Sequence, residues 1–132
     1  MASKCKGTRA ERELLHMLHS KKFNIMRSAG SGSIGIPNPD LIAAKNGRIL
    51  AIECKSLSAE NKYFTEQEIE ELKEFSKSFK AEAWLGLRFD NIGWFFIHPD
   101  KLNKTKSGYF NISLEELKEK GLNFEKLIKD VR

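Results

Sequence analysis

The residues of this sequence best suited to chemistry gather between Pro39 and Lys55. There Asp40 and Glu53 bracket two short apolar runs joined by Asn46-Gly47, and Lys55 follows Glu53 by two positions. Asn-Gly between such runs is the strongest short-range hairpin signal, because a two-residue type I′ turn needs positive φ at both central positions. With Lys45 facing Arg48 across the turn, counting outward sets Asp40 directly opposite Glu53, with Lys55 on the same face as Glu53. Directly opposed Cβ atoms are about 4.5–5.5 Å apart, and like charges so placed destabilise a sheet. A divalent cation reverses that sign: Mg²⁺ is held by one or two carboxylates and takes its other ligands from water and substrate phosphate. Lys55 would then bind a phosphate oxygen or orient the attacking water. The competing reading makes the two acids strand-end residues near solvent, each balanced by a basic neighbour. An acid, an opposed acid and a lysine between apolar runs favour the metal site. A bulge or a longer turn would move Asp40 off Glu53.

Other elements must hold that hairpin. Thr8-Arg9-Ala10-Glu11 fits a capping box and Leu14, Leu15 and Leu18 form an apolar stripe, so a helix is expected from Thr8, after a polar, loose segment 1–6. On this reading Glu11 closes the cap on the Thr8 backbone amide. Arg9 and Arg12, with Lys4 and Lys6 nearby, make the same helix end basic, where duplex phosphates can dock. His16 and His19 stand three apart, a spacing able to hold a metal on a helix, but without a third ligand nearby they read as a solvated face. Phe23 to Ser28 alternates as a strand with Phe23, Ile25 and Arg27 on one side. An arginine on that side needs an anion, either a neighbouring glutamate or a phosphate in the site.

Gly30 to Gly35 matches the dinucleotide pattern GxGxxG, but that fingerprint requires a helix starting within the glycines, which Pro37 and Pro39 prevent. The stretch reads instead as a Gly/Ser loop bordering the hairpin, able to carry Ser31 or Ser33 to a phosphate; loop flexibility explains the composition equally well. On the hairpin, Leu41, Ala43, Leu50 and Ile52 fill one face and Ile42, Ala44, Ile49 and Ala51 the other. Strands apolar on both faces belong in a sheet covered by helices on both sides, an α/β layer arrangement. Residues 56–63 read as a polar connection. Thr65 and Glu68 then form a capping box, Phe64 and Ile69 a hydrophobic staple, opening a helix whose stripe is Ile69, Leu72, Phe75 and Phe79. On sequence alone Phe75 and Phe79 face the core. Glu82 to Phe89 and Ile92 to His98 read as two further strands, with Trp94 and Phe96 packed rather than stacked on bases. Beyond Pro99 the chain is basic and irregular, until Ser113 caps a short helix ending near Gly121 and Asn123 to Val131 forms a last one.

The 132 residues suit one domain, and 31% charged with 40% hydrophobic residues is an ordinary globular composition. A formal charge of +5 favours a polyanionic partner. With no apolar window of about 18 residues and no signal-peptide core, neither a membrane partner nor export is expected, and the chain is expected to be intracellular. Cys5 and Cys54 make no CxxC pattern, so neither zinc nor a disulfide framework is indicated.

Pro39-Asp40, twelve residues, then Glu53-Cys54-Lys55 resembles the PD-(D/E)XK nuclease motif. Preceding it are Gly7-Thr8-Arg9-Ala10-Glu11-Arg12-Glu13-Leu14 and Arg27-Ser28-Ala29-Gly30-Ser31; following it are Glu74-Phe75-Ser76-Lys77-Ser78-Phe79 and Gly93-Trp94. In that order, over residues 7–98, the combination is similar to the archaeal-type Holliday-junction resolvases. The resemblance implies a mixed central sheet flanked by helices, the restriction-endonuclease-like nuclease fold, and a single nuclease domain. It further implies a two-fold homodimer and Mg²⁺-dependent cleavage of branched DNA at four-way junctions, with Mn²⁺ able to stand in. It maps an acidic active-site residue onto Glu11, metal ligands onto Asp40 and Glu53, the catalytic lysine onto Lys55, and basic residues of the site onto Arg12 and Arg27. The family's loop serine falls on Ser31 or Ser33, and Phe75 and Phe79 become subunit-contact residues, against the preference for the core. Residues 100–132 carry no motif of the family and are expected to be a variable segment. The alternatives are a nuclease of the same superfamily acting on other branched or damaged DNA, and a module that binds junctions without cutting.

Overall fold

The structure is a computed structural model and describes residues 2–28 and 35–129. In chain order it runs α1 (Ala2–Ser20), β1 (Asn24–Arg27), β2 (Leu41–Lys45), β3 (Arg48–Leu57), β4 (Asn61–Phe64), α2 (Glu66–Phe79), β5 (Glu82–Phe89) and β6 (Gly93–Ile97). A 3-10 turn (Pro99–Lys101) leads to β7 (Asn103–Lys104), β8 (Phe110–Ser113), α3 (Leu114–Lys120) and α4 (Phe124–Lys129).

The central sheet has the order β1-β2-β3-β5-β6. Its neighbours are antiparallel except β3 and β5, which run parallel because α2 carries the chain over one face between them. β3 and β5 are therefore covered on both sides, as the two-faced apolar pattern of the hairpin requires. On one face Ala10, Leu14 and Leu18 of α1 pack with Leu41, Ala43, Leu50, Ile52 and Leu127 of α4. On the other, Ile69 and Leu72 of α2 pack with Ala51, Ala83, Leu85 and Leu87. Near the sheet centre Gly86 pairs with Cys54 and Phe96. A Cβ on Gly86 would come within 3.2 Å of Ile52, Trp94 and Phe96, so only glycine lets the stacked Trp94 and Phe96 rings lie down on the strand.

Two helix starts match the sequence signals closely. Thr65 caps α2 with Glu68 closing the box, and Phe64 and Ile69 are both buried against the same core. Ser113 and Glu116 do the same for α3. The start of α1 differs: the helix begins at Ala2, so Thr8 is not its cap and 2–6 is helical rather than loose. An N-cap residue needs extended backbone, and nothing in Ala2-Ser3-Lys4-Cys5-Lys6 breaks a helix; it runs through Gly7 at a cost of about 1 kcal/mol relative to alanine. Residues 56–63 are not a mere connection either. β3 continues to Leu57, and β4 joins β8 and β7 in a second, three-stranded antiparallel sheet. That sheet also orders the segment beyond Pro99, which the sequence presents as irregular; its Ile112 is buried in the α2-side core with Leu102, Leu114 and Leu117.

Candidate active site

The hairpin forms as its turn residues dictate. Asn46 and Gly47 take φ of 50° and 84°, and pairing runs in step from Lys45–Arg48 to Leu41–Ile52. One further step outward brings Asp40, just before β2, to the position facing Glu53. Asp40 is buried, and its Oδ2 accepts the Cys54 backbone N–H at 2.8 Å, fixing this carboxylate to β3 between Glu53 and Lys55. The Cys54 side chain turns away into the α1-side core. Burial first, and then the charge of Asp40, push the Glu53 carboxyl up to about 8; Lys55 opposes the shift, while Glu68 and Glu11 add to it. Lys55 Nζ lies 3.9 Å from Glu53 Oε2 and 3.7 Å from Glu68 Oε1.

Glu11 reaches this group from α1. Since α1 starts well before Thr8, Glu11 closes no cap; instead its Oε1 accepts from Arg27 Nε at 3.0 Å, both side chains partly buried. Of the two partners the sequence allowed for Arg27, the structure supplies the glutamate. Burial and then Asp40 raise the Glu11 carboxyl above its ordinary value, against the hydrogen bond and charge of Arg27 and the charge of Lys55. Three elements thus bring Glu11, Asp40, Glu53, Lys55 and Arg27 into one electrostatic group. Arg9 and Arg12 flank Glu11 on α1, both exposed. Ser31 and Ser33 lie outside the described residues. Next to them, Ser28 Oγ donates to Asn38 Oδ1 at 2.8 Å, and Ser28 N donates to the Asp40 carbonyl at 2.9 Å. A cleft beside Glu53 is lined by Pro37, Asn38, Pro39, Glu68, Glu71 and Leu72.

The donor set is all carboxylate oxygen, held close enough that Asp40 makes both Glu11 and Glu53 harder to ionise and Glu11 adds to the effect on Glu53. That is the chemistry a hard divalent cation satisfies. Among the described residues, no three such side chains converge on one point. Glu11 is turned to Arg27 and Asp40 to the Cys54 amide. The residues therefore fit a divalent cation by type and by mutual repulsion, not as a closed cage. Phe75 and Phe79 stand apart from this group on α2. Their rings stack at 5.2 Å; Phe75 is half-buried against the core and Phe79 is 48% exposed, so the core expected for both holds only for Phe75.

The sequence profile of the archaeal Holliday junction resolvase (hjc) family matches residues 2–132. The chain belongs to this family. It is 36% identical over 133 residues to the crossover junction endodeoxyribonuclease Hjc of Sulfolobus acidocaldarius, covering 99% of this chain and 92% of that protein. With the Hjc of Archaeoglobus fulgidus it shares 37% over 106 residues, 80% of this chain and 78% of the relative. The solved structure of that protein, described as a Holliday junction resolvase from an archaeal hyperthermophile, superimposes with a TM-score of 0.84 at 31% identity, covering 96% of this chain and 98% of the other. The match runs through the carboxyl-terminal residues, beyond the 7–98 stretch that carries the motifs, so the segment that looked variable lies within the resolvase family's own span.

Two contacts of the resolvase escaped the sequence. Glu68 reads there as a capping residue and nothing more, yet its second oxygen faces Lys55. Glu13, a helix-surface acid by pattern, accepts from Trp94 Nε1 at 2.6 Å and from Arg88 Nε at 2.7 Å, fastening α1 to β5 and β6. No local signal marks either pairing.

Proposed function

We propose that this endonuclease resolves four-way DNA junctions by hydrolysing phosphodiesters in opposed strands, with Mg²⁺ held by Asp40 and Glu53 and with Glu11 completing the set. The observation that carries the reading is the buried Asp40 facing Glu53, whose carboxyl its surroundings push up to about 8. A fold with no use for a cation would not place two acids there. Asp40 and Glu53 would hold such a cation, which would supply charge to offset that developing on the scissile phosphate and would lower the pKa of a bound water.

The chain's own groups do the rest. Asp40, fixed by the Cys54 N–H, presents its carboxylate from a set position. Lys55, a partly buried side chain, orients the attacking water or steadies a phosphate oxygen. Arg27 aims Glu11 through its hydrogen bond, and its guanidinium partly offsets the burial and the Asp40 charge that raise that carboxyl. Arg9 and Arg12, exposed on the same helix, contact neighbouring phosphates, and Ser31 or Ser33 supplies the loop hydroxyl. Recognition then follows shape and phosphate position more than base sequence. Phe79, exposed and stacked on Phe75, meets a second copy across a two-fold axis, setting two sites on the two opposed strands of a junction.

The test is Mg²⁺-dependent cutting of a labelled four-way junction beside a linear duplex with the same arms, with Glu53→Gln as control. Paired nicks in opposed strands of the junction alone, lost in the variant, are the expected result. Equal cutting of both substrates would leave a nuclease of other DNA; tight binding without cutting would leave a junction-binding module.

A further inference from the structure

We propose that Glu68 is a positioning residue for Lys55, so that the first turn of α2 sets where the catalytic ammonium sits. The inference rests on the reading of Lys55 given above. The Glu68 carboxylate is divided between two tasks. Oε2 accepts the Thr65 backbone N–H at 2.9 Å, and the Glu68 N–H donates to Thr65 Oγ1 at 3.1 Å, so both ends of the residue are tied to the helix start. Oε1 remains, 3.7 Å from Lys55 Nζ.

Lys55 is thereby held between a carboxylate of its own strand, Glu53 at 3.9 Å, and one from α2. These two partners are not equivalent during the reaction. Glu53 would be shared with a cation held there, whose charge would repel the ammonium, so the contact along β3 would be the weaker restraint. Glu68 belongs to another element, is anchored by its own cap, and keeps its charge beside the lysine. Without it, a flexible four-carbon side chain next to a divalent cation would swing toward solvent. The half of the capping box that holds Glu68 by its side chain, the Thr65 backbone N–H on Oε2, thus carries the lysine's restraint.

Glu68→Gln separates the two tasks, because a glutamine at this position still accepts the Thr65 N–H but carries no charge. Thr65→Ala does the reverse: it removes the hydroxyl half of the cap and leaves the Thr65-position N–H to hold Glu68. Single-turnover cutting of the junction at saturating enzyme and Mg²⁺ is compared with junction affinity measured in Ca²⁺ and with melting temperature. Glu68→Gln should cut about fivefold more slowly, the rate equivalent of one partly exposed ion pair, with affinity and melting temperature unchanged. Thr65→Ala should melt earlier and cut at the wild-type rate. In a Lys55→Met background, Glu68→Gln should cost nothing further, since the group it positions is gone. Wild-type cutting by Glu68→Gln, or a loss matched by Thr65→Ala, overturns the proposal while leaving Lys55 as assigned. Undiminished cutting by Lys55→Met would instead refute the role of the lysine and this inference with it.

Discussion

Replacing Glu53 with glutamine should stabilise the metal-free protein while abolishing its cutting. In the folded chain the Glu53 carboxyl is pushed from its ordinary 4.5 to about 8, chiefly by burial and then by Asp40. Between those values the folded state holds a proton that the unfolded state has released, so stability falls as pH rises across this window. Below it both states are protonated and the group contributes nothing; above it both are ionised and the full penalty persists. At about 1.4 kcal/mol per pH unit the unscreened penalty is about 5 kcal/mol. Because the side chain is 31% exposed, solvent screening reduces the expected figure to about 2 kcal/mol. Glu53→Gln removes this titration. In EDTA, urea unfolding at pH 5, 7 and 9 should show variant and wild type nearly level at the lowest pH and about 2 kcal/mol apart, variant ahead, at the highest. Saturating Mg²⁺ should reverse the ranking at pH 9, since a ligand at a hundred times its dissociation constant adds about 2.7 kcal/mol to the state that binds it. A difference independent of pH, or a glutamine chain less stable at pH 9 in EDTA, would refute the claim that the two acids repel in the folded state.

On the two-fold dimer proposed above, Phe79→Ser should yield a monomer in sedimentation velocity and single nicks in place of paired ones, without lowering the stability of the fold, because this ring is 48% exposed. Gly86→Ala should destabilise the fold by about 1–3 kcal/mol in urea unfolding, the cost of forcing a methyl group into a closed sheet centre. A Cβ there would lie 3.2 Å from Ile52, Trp94 and Phe96, so these three buried side chains would each have to shift by a few tenths of an ångström.

The parts of the fold that showed in the sequence are those decided within a few residues. The Asn46-Gly47 turn fixes its own register, and the Thr65–Glu68 and Ser113–Glu116 boxes fix two helix starts, because every partner lies within four positions. The second sheet is the opposite case. Asn61-Lys62-Tyr63 and Asn103-Lys104 show no apolar alternation, and β4 becomes a strand only by pairing with the distant β8. Thr8 misled for a related reason: a capping box is evidence of a helix start only where the preceding residues refuse to be helical, and Ala2 to Lys6 do not refuse.

The site divides along the same line. Asp40, Glu53 and Lys55 were legible as a constellation because a hairpin register converts sequence spacing into spatial opposition. Arg27 declared that it needed an anion without saying which, since Glu11 lies on another element. Glu68 was hidden by the completeness of its local explanation. The same register explains how the fold tolerates two repelling acids. The repelling acids sit just past the last hairpin pair, Leu41–Ile52, with Glu53 directly after Leu50, Ala51 and Ile52, all three fully buried and packed on both faces of the sheet. Burying Leu50 and Ile52 contributes about 2 kcal/mol each, which exceeds the roughly 2 kcal/mol that an ionised Glu53 removes. Moved inward to face one another across the middle of β2 and β3, the same acids would displace those side chains and remove the stabilisation that offsets them. The end of the β2–β3 pairing is therefore the place on this hairpin where two opposed acids and a closed core can coexist.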